Sequence, residues 1–348
     1  MQPSAYRNVT IIGDGGMGTV LSMLLCEKDI PTRMWGYDAR QLGEIEQSRE
    51  NRRFLPGYKL PASLVFEAGD ERAMAGAELI VSAVPCQFMR AIWNRLRQHV
   101  PAGVPIVSVA KGIENDTLLR PSQILHDVLG ENIPLAALSG PTIADELARK
   151  LPATACAAAA DEALAMRIQS TFTCPWLRVY TNTDVIGVEL AGAMKNVIAI
   201  TAGIIDGVQA GDNAKAALLA RGLAEITRLG LAMGASEYTF AGLTGLGDLV
   251  TTCISPSGRN RSFGERIGRG LTRQQAQEAT ASVVEGFATC QSVVALASRH
   301  GVEMPITRAV YEVLFESKPV QAAIEDLMSR RLKPEWIAGP AKPFAKAP

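Results

Sequence analysis

Three stretches of the chain carry residue types that could do chemistry. The first is Gly13-Asp14-Gly15-Gly16-Met17-Gly18, which has the spacing G-x-G-x-x-G and follows the strand-type run Val9-Thr10-Ile11-Ile12. Glycines at these intervals allow a tight turn, close approach of backbone N–H groups to a pyrophosphate and close helix–strand packing, with a helix N-terminus facing the anion. A plain glycine turn has the same composition; the position between a first strand and a first helix favours the phosphate loop. Twenty residues beyond Gly18, Asp38 follows the run Arg33-Met34-Trp35-Gly36, where an acidic side chain can hold an adenosine ribose hydroxyl. That points to NAD, while Tyr37 beside it and Arg33 and Arg40 nearby leave room for a 2′-phosphate. A solvated loop aspartate is the alternative reading of Asp38.

The second stretch is centred on Lys195, the only ionisable residue between Leu190 and Ile205. A lysine in such an apolar helix is costly unless it is paired or points into a cleft. Partial burial pulls its pKa toward working pH, where it can exchange a proton with a hydroxyl or carbonyl oxygen. A lysine that snorkels to solvent is the alternative. The third stretch is GLTGLGDLVTTC over 242–253, followed by Gly258-Arg259-Asn260-Arg261. Three glycines before a lone Asp248 suggest a tight backbone carrying a carboxylate into a site. Arg259 and Asn260, just ahead of a helix, suit a phosphate or carboxylate through a guanidinium fork, an amide and helix N-terminal donors. Arg259 by itself also fits a solvated surface arginine.

Other chemistries are disfavoured by composition. The three histidines (His99, His126, His300) lie at no ligand spacing from a cysteine or from one another, so no metal site is expected. The six cysteines show no C-x-x-C pattern and are expected to be buried free thiols in a reducing compartment. With 35 Lys+Arg against 35 Asp+Glu, the formal net charge is zero, which argues against a nucleic-acid or anionic-membrane binder. The first ten residues lack the basic and apolar segments of a signal peptide. The apolar run 190–205 is shorter than the roughly 20 residues of a membrane span and carries Lys195 and Asn196 inside it. A cytoplasmic protein without a membrane span is expected.

The elements that must position these groups follow from periodicity. Over 8–140, β-type runs at 8–12, 32–36, 64–68, 78–84, 105–110 and 134–138 alternate with helical ones at 17–28, 39–51, 88–99 and 118–128. This alternation predicts an α/β domain with a parallel sheet covered on both faces. Two further strands, at 154–160 and 177–180, flank a helix. From 188 to 330 nearly everything has a helical period: 188–205, 213–229, 239–243, 261–269, 272–278, 286–300, 305–315 and 319–328. The expected organisation is a dinucleotide-binding domain over 1–185, a helical substrate domain over 186–338 and a loose tail over 339–348. The all-apolar faces of the helical part suit a homodimer.

At this point the sequence resembles the NAD(P)-dependent glycerol-3-phosphate dehydrogenase family, bacterial type, over nearly its whole length. The motifs that carry the resemblance are IIGDGGMGTV (11–20), WGYD (35–38), NRRFLPG (51–57), VSAVPCQ (81–87), SVAKGIE (108–114), LSGPTIADEL (138–147), GVELAGAMKNVIAITAGIIDG (187–207), GDNAKAALLARGLAEITRLG (211–230), GLTGLGDLVTTC (242–253), GRNRSFG (258–264), VVEG (283–286) and VEMPIT (302–307). The resemblance implies a Rossmann-type doubly wound sheet followed by an all-α domain like that of 6-phosphogluconate dehydrogenase. It also implies hydride transfer between NAD(P)H and dihydroxyacetone phosphate, giving sn-glycerol 3-phosphate for phospholipid synthesis. A related β-hydroxyacid-type dehydrogenase of the same architecture is the alternative.

Carried over residue by residue, the resemblance makes Lys195 the acid/base at the C2 oxygen, with Asp248 and Lys111 completing the polar site. Gly140, Thr142, Gly258, Arg259 and Asn260 join Lys111, Lys195 and Asp248 as substrate-binding positions. Gly13, Gly15, Gly16, Met17, Gly18, Tyr37, Lys111, Ala144, Arg259, Val283 and Glu285 fall at positions that contact NAD or NADP. The sequence departs from the family at four of these motifs. Met17 stands where an aromatic is usual, Cys86 where serine follows Val-Pro, Gly258 where bacterial-type members have serine, and Tyr37 where a basic residue is common.

Overall fold

The computed structural model describes residues 4–280, 283–332 and 334–335. The tail over 339–348, expected to be loose, lies outside the described residues. The strands are β1 (Val9–Ile12), β2 (Thr32–Trp35), β3 (Glu50–Asn51), β4 (Leu55–Lys59), β5 (Val65–Phe66), β6 (Leu79–Ser82), β7 (Ile106–Ser108), β8 (Leu135–Ser139), β9 (Ala153–Ala158) and β10 (Leu177–Asn182). Among the described residues, eight of them form one sheet in the order β10-β9-β8-β7-β6-β1-β2-β5, with β3 and β4 as a separate hairpin. Neighbours from β5 through β8 run parallel; β9 runs antiparallel to β8, and β10 runs parallel to β9.

The helices of this half are α1 (Gly16–Glu27), α2 (Ala39–Ser48), α3 (Asp70–Met74), α4 (Cys86–Leu96), α5 (Pro121–Leu129), α6 (Ala144–Ala148) and α7 (Glu162–Phe172). Alternate residues of the strands feed two cores. Val9, Ile11, Leu79, Val81 and Val107 pack under α1, α6 and α7, while Ile12, Ile80 and Ile106 pack with Trp93, Ile124 and Leu125 of α4 and α5. Strands buried on both faces read as continuous apolar runs, which is why they were legible as a parallel sheet. β9 runs antiparallel because five-residue α6 is too short to carry the chain back for a parallel strand, and so short a helix leaves no periodicity to read.

Several helix starts differ from the periodicity; those expected at 88, 188 and 239 fall at Cys86, Val185 and Glu237. The helix expected from 118 begins at Pro121: Leu118 has a φ of 61°, and proline's fixed φ suits the first helical position. The helix expected from 261 begins at Arg259, with Gly258 as its N-cap.

The second half comprises α8 (Val185–Gly207), α9 (Asp212–Ala232), α10 (Glu237–Ala241), a π-helical turn (Leu243–Gly247), α11 (Asp248–Ile254), α12 (Arg259–Gly268), α13 (Arg273–Glu278), α14 (Glu285–Arg299), α15 (Pro305–Phe315) and α16 (Val320–Met328). Helix α8 is the axle. Asp184 caps it by accepting from the Gly187 N–H at 2.8 Å, and it is buried on nearly all sides, with Leu190, Met194 and Ile198 in one core and Val197, Ile200 and Ile204 in another. By length and composition it could cross a membrane, but its apolar window is almost entirely enclosed by the protein's own helices.

Helices α8 and α12 cross with their backbones in contact. A Cβ added at Gly203 would lie 1.9 Å from the Arg261 carbonyl oxygen, and one at Gly264 1.9 Å from that of Ile200. Glycine at both positions is what allows this approach.

The two halves meet through the β7–α5 loop. Glu189 of α8, 4% exposed, accepts from the Ser122 N–H and Oγ at 2.7 Å each and pairs with Arg120. Ser292 Oγ of α14 donates to the Ile113 carbonyl at 2.9 Å, and Asn196 Nδ2 to that of Lys111 at 3.2 Å.

Candidate active site

The glycine loop leaves β1 and opens α1. A Cβ at Gly13 would lie 2.6 Å from the Ala83 carbonyl oxygen, and one at Gly18 2.1 Å from that of Gly13, so the turn closes only with glycine. At Gly15 the corresponding point has no neighbour within 4 Å, so that face is open to a ligand. A Cβ at Gly16 would lie 2.9 Å from the Phe54 carbonyl oxygen and 3.7 Å from the Ala144 Cβ, so the β3–β4 turn and the N-terminus of α6 form the opposite wall. A pyrophosphate fits here because open backbone N–H groups and the α1 N-terminus converge on one face.

Next to the loop, a cavity of about 10 Å³ is lined by Met17, Leu21, Lys111, Ser139 and Thr142, among others. Met17 therefore faces the polar site, where the family's aromatic would stand. The Ser139 hydroxyl is buried without a hydrogen-bond partner among the described residues, leaving a polar atom for a bound ligand. The thiol of Cys86, at the start of α4, is buried in the core on the other face of the sheet, and burial pushes its pKa up.

Lys111, Lys195 and Asp248 are brought together from three elements. Asp248, 2% exposed, accepts from Lys195 Nζ through Oδ1 at 2.6 Å and from Lys111 Nζ through Oδ2 at 2.7 Å. Lys111 also donates to the Gly140 carbonyl at 2.9 Å, which the Thr142 hydroxyl contacts at 3.1 Å. Lys195 donates in addition to Thr252 Oγ1, one turn beyond Asp248 on α11. Burial pushes the Lys195 ammonium down to about 8; Asp248 opposes that shift and Lys111 adds to it. A lysine poised there can give or take a proton near neutrality.

The tight backbone that the glycines suggested ahead of Asp248 is a helical turn. Asp248 is the first residue of α11, reached through the π-helical turn, where a Cβ at Gly245 would lie 2.0 Å from the Phe240 carbonyl oxygen.

The candidate phosphate grip lies at the start of α12. Arg259 Nη1 reaches the Val283 carbonyl at 3.5 Å. The Asn260 side chain faces inward: Nδ2 donates to Asn196 Oδ1 at 2.9 Å and Oδ1 accepts from the Gly286 N–H at 2.9 Å. What Asn260 can offer an anion is thus its backbone N–H in the first turn, beside the Arg259 guanidinium. Gly258 suits its place, since a Cβ there would lie 3.1 Å from the Thr252 carbonyl oxygen. Glu285 opens α14 nearby; burial raises its pKa, and Arg259, Lys111 and Lys195 each counter that, which puts its carboxyl within electrostatic reach of all three.

At the other end of the cleft Tyr37 is 68% exposed just beyond β2. Asp38 caps α2, accepting from the Arg40 N–H at 2.9 Å. Arg33 is turned away from this place, with Nη1 donating to the Ala73 and Ala75 carbonyls, so it is not arranged for a 2′-phosphate. Sequence reasoning passed over Asn196, Thr252 and Ser139. Each adjoins a residue it named or, for Thr252, sits at i+4 on the same helix face.

A doubly wound sheet with an open phosphate loop, closed against a helical half that supplies a buried lysine, is the build of a two-domain dinucleotide-dependent dehydrogenase. The model of the NAD-dependent glycerol-3-phosphate dehydrogenase N-terminus matches residues 8–165, and that of the C-terminus residues 184–325. A glycerol-3-phosphate dehydrogenase [NAD(P)+] of Geobacter sp. (strain M21) is 46% identical over 333 residues, 95% of this chain and 99% of that one. One from Mycobacterium tuberculosis is 45% identical over 94% of this chain and 98% of that one. The crystal structure of a glycerol-3-phosphate dehydrogenase from Coxiella burnetii superposes with a TM-score of 0.90 at 35% identity, covering 94% of this chain and all of the other. The chain belongs to the NAD-dependent glycerol-3-phosphate dehydrogenase family, and it is an NAD(P)-dependent oxidoreductase with that activity.

Proposed function

We propose that the chain reduces dihydroxyacetone phosphate to sn-glycerol 3-phosphate where Lys111, Lys195 and Asp248 meet. The observation that carries this reading is the buried Lys195, 6% exposed, held 2.6 Å from Asp248 and backed by Lys111. Bound NADH or NADPH supplies the hydride for C2. Gly13, Gly15, Gly16 and Gly18 hold the pyrophosphate, and Met17, Lys111, Ala144, Val283 and Glu285 line the nicotinamide end, with Tyr37 at the adenosine end. The Arg259 guanidinium and the α12 N-terminus bind the substrate phosphate, which leaves the carbonyl oxygen facing Lys195. The Lys195 ammonium stabilises the developing alkoxide and then protonates it. Asp248 keeps the lysine charged for reduction, and Lys111 fixes the carboxylate, with Gly140 and Thr142 completing that wall.

In this reading residues 1–185 serve the cofactor and residues 186–338 the substrate. The product supplies phospholipid synthesis in the cytoplasm, and the protein works as a homodimer.

The test follows NAD(P)H absorbance with dihydroxyacetone phosphate. The wild type should consume cofactor, and no consumption overturns the reading. Lys195→Ala should abolish turnover while cofactor affinity stays within about threefold, as expected for a group acting only in the transition state.

A further inference from the structure

The residue between the first two glycines of the phosphate loop is an aspartate, and its side chain does not point at solvent. Asp14 Oδ2 accepts a hydrogen bond from Gln41 Nε2, and the carboxylate lies against the backbone at the end of β2, where a Cβ on Gly36 would be 3.2 Å from Asp14 Cγ. The same Gln41 donates its backbone N–H to Asp38 Oδ1 at 3.3 Å. One residue in the first turn of α2 therefore bridges two carboxylates, one from the loop and one from the helix cap. Burial raises the Asp14 pKa, Gln41 and Arg53 lower it, and Asp38 raises it, so the Asp38 carboxylate is within electrostatic reach of Asp14. The surrounding cations have partners of their own. Arg53 Nη1 donates to Gln41 Oε1 at 2.8 Å, Arg95 holds Asp70 at 2.7 Å, and Arg40 pairs with Glu44 on the solvent side.

The end of β2 is where a dinucleotide's adenosine ribose lies once its pyrophosphate is in the glycine loop. We infer that Asp14, held by Gln41 beside Asp38, is a specificity-determining residue that selects NADH over NADPH. A ribose carries two hydroxyl donors and meets two carboxylate acceptors. A 2′-phosphate carries no equivalent donor and brings two negative charges to the same place. The inference rests on the dinucleotide reading of the loop.

Its test uses the whole protein and has two readouts. The first is the ratio of kcat/KM for NADH to that for NADPH with dihydroxyacetone phosphate. The second is calorimetric affinity for adenosine 5′-monophosphate against adenosine 2′,5′-bisphosphate, which reports selection without turnover. The wild type should favour NADH and the monophosphate. Asp14→Asn keeps the acceptor for Gln41 and removes the charge, so both ratios should fall about tenfold, equivalent to about 1.4 kcal/mol. Glu46→Gln removes an exposed charge from α2 and should change neither. If Asp14→Asn moves both ratios less than about twofold, or if the wild type prefers the 2′-phosphorylated forms, the inference is overturned. If the half-molecules discriminate as expected but dihydroxyacetone phosphate is not turned over, the substrate reading fails and the selection by Asp14 stands.

Discussion

Replacing Asp248 by asparagine should move the pH range over which the enzyme reduces its substrate. Asp248 accepts from both Lys195 and Lys111, and its charge works against the burial that pushes Lys195 down to about 8. An opposite charge in direct contact shifts a pKa by about 1–3 units, so loss of this one should lower Lys195 by about two, to near 6. Reduction needs the ammonium form. At about pH 7 the wild-type lysine, at about 8, is about nine-tenths protonated, and the variant's, near 6, about one-tenth. Protonation alone thus predicts about a tenfold loss of reductive kcat/KM at that pH. The sign reverses for oxidation of glycerol 3-phosphate, which needs the neutral amine, so its rising limb should move to lower pH. The assay is kcat/KM for dihydroxyacetone phosphate in Asp248→Asn and wild type between about pH 5 and 9. The falling limb should shift by about two units, and the variant's deficit should shrink toward the acid end. A deficit that is the same at every pH, with the limb still near 8, would refute the charge argument and leave Asp248 a purely geometric part.

Arg259→Ala should raise the KM for dihydroxyacetone phosphate by about 10–100-fold, the scale of a lost charge-assisted contact, with a smaller change in kcat; an unchanged KM means the phosphate is bound elsewhere. Gly203→Ala would put a methyl 1.9 Å from the Arg261 carbonyl oxygen and should lower stability by about 1–3 kcal/mol; an unchanged urea midpoint would show that the helices separate at no cost. Glu189→Ala strands Arg120 at the junction of the two halves and should cost about 3–5 kcal/mol, read as the loss in unfolding free energy; a change below about 1 kcal/mol would mean water replaces the pair.

Much of the fold was legible because burial writes it into the sequence. Strands β1, β6 and β8 are apolar runs buried on both faces, and helix α15 has the expected bounds because proline sets its start. What escaped notice has little apolar signal. The β3–β4 hairpin buries only Asn51 and Leu55, and α3 and α6 have five residues each. The members of the site were individually legible as a lysine in an apolar helix, a carboxylate after glycines and an arginine before a helix. Their meeting was not, since Lys111 and Asp248 are 137 residues apart and Lys195 and Asp248 are 53 apart. The packing of α11 on α8 brings Asp248 to Lys195, and the docking of the loop after β7 against α8 brings Lys111 to both. The interior turn of Asn260 was also invisible, because its partners Asn196 and Gly286 come from α8 and α14.

The crossing of α8 and α12 has a bearing on which substrates can react. Lys195 sits on one of these helices and Arg259 begins the other, and at Gly203 and Gly264 the two meet by direct carbonyl-to-glycine contact, tied alongside by the Asn196–Asn260 hydrogen bond and the Asp206–Arg261 ion pair. Side chains at a crossing can change rotamer and let helices slide, whereas touching backbones leave nothing to rearrange. In the proposed mechanism the distance from the Arg259 phosphate grip to the Lys195 proton donor is therefore set like the jaws of a locked caliper. A phosphate ester is measured by the number of bonds between its phosphorus and its carbonyl carbon, and one a bond longer or shorter binds with its oxygen off the lysine.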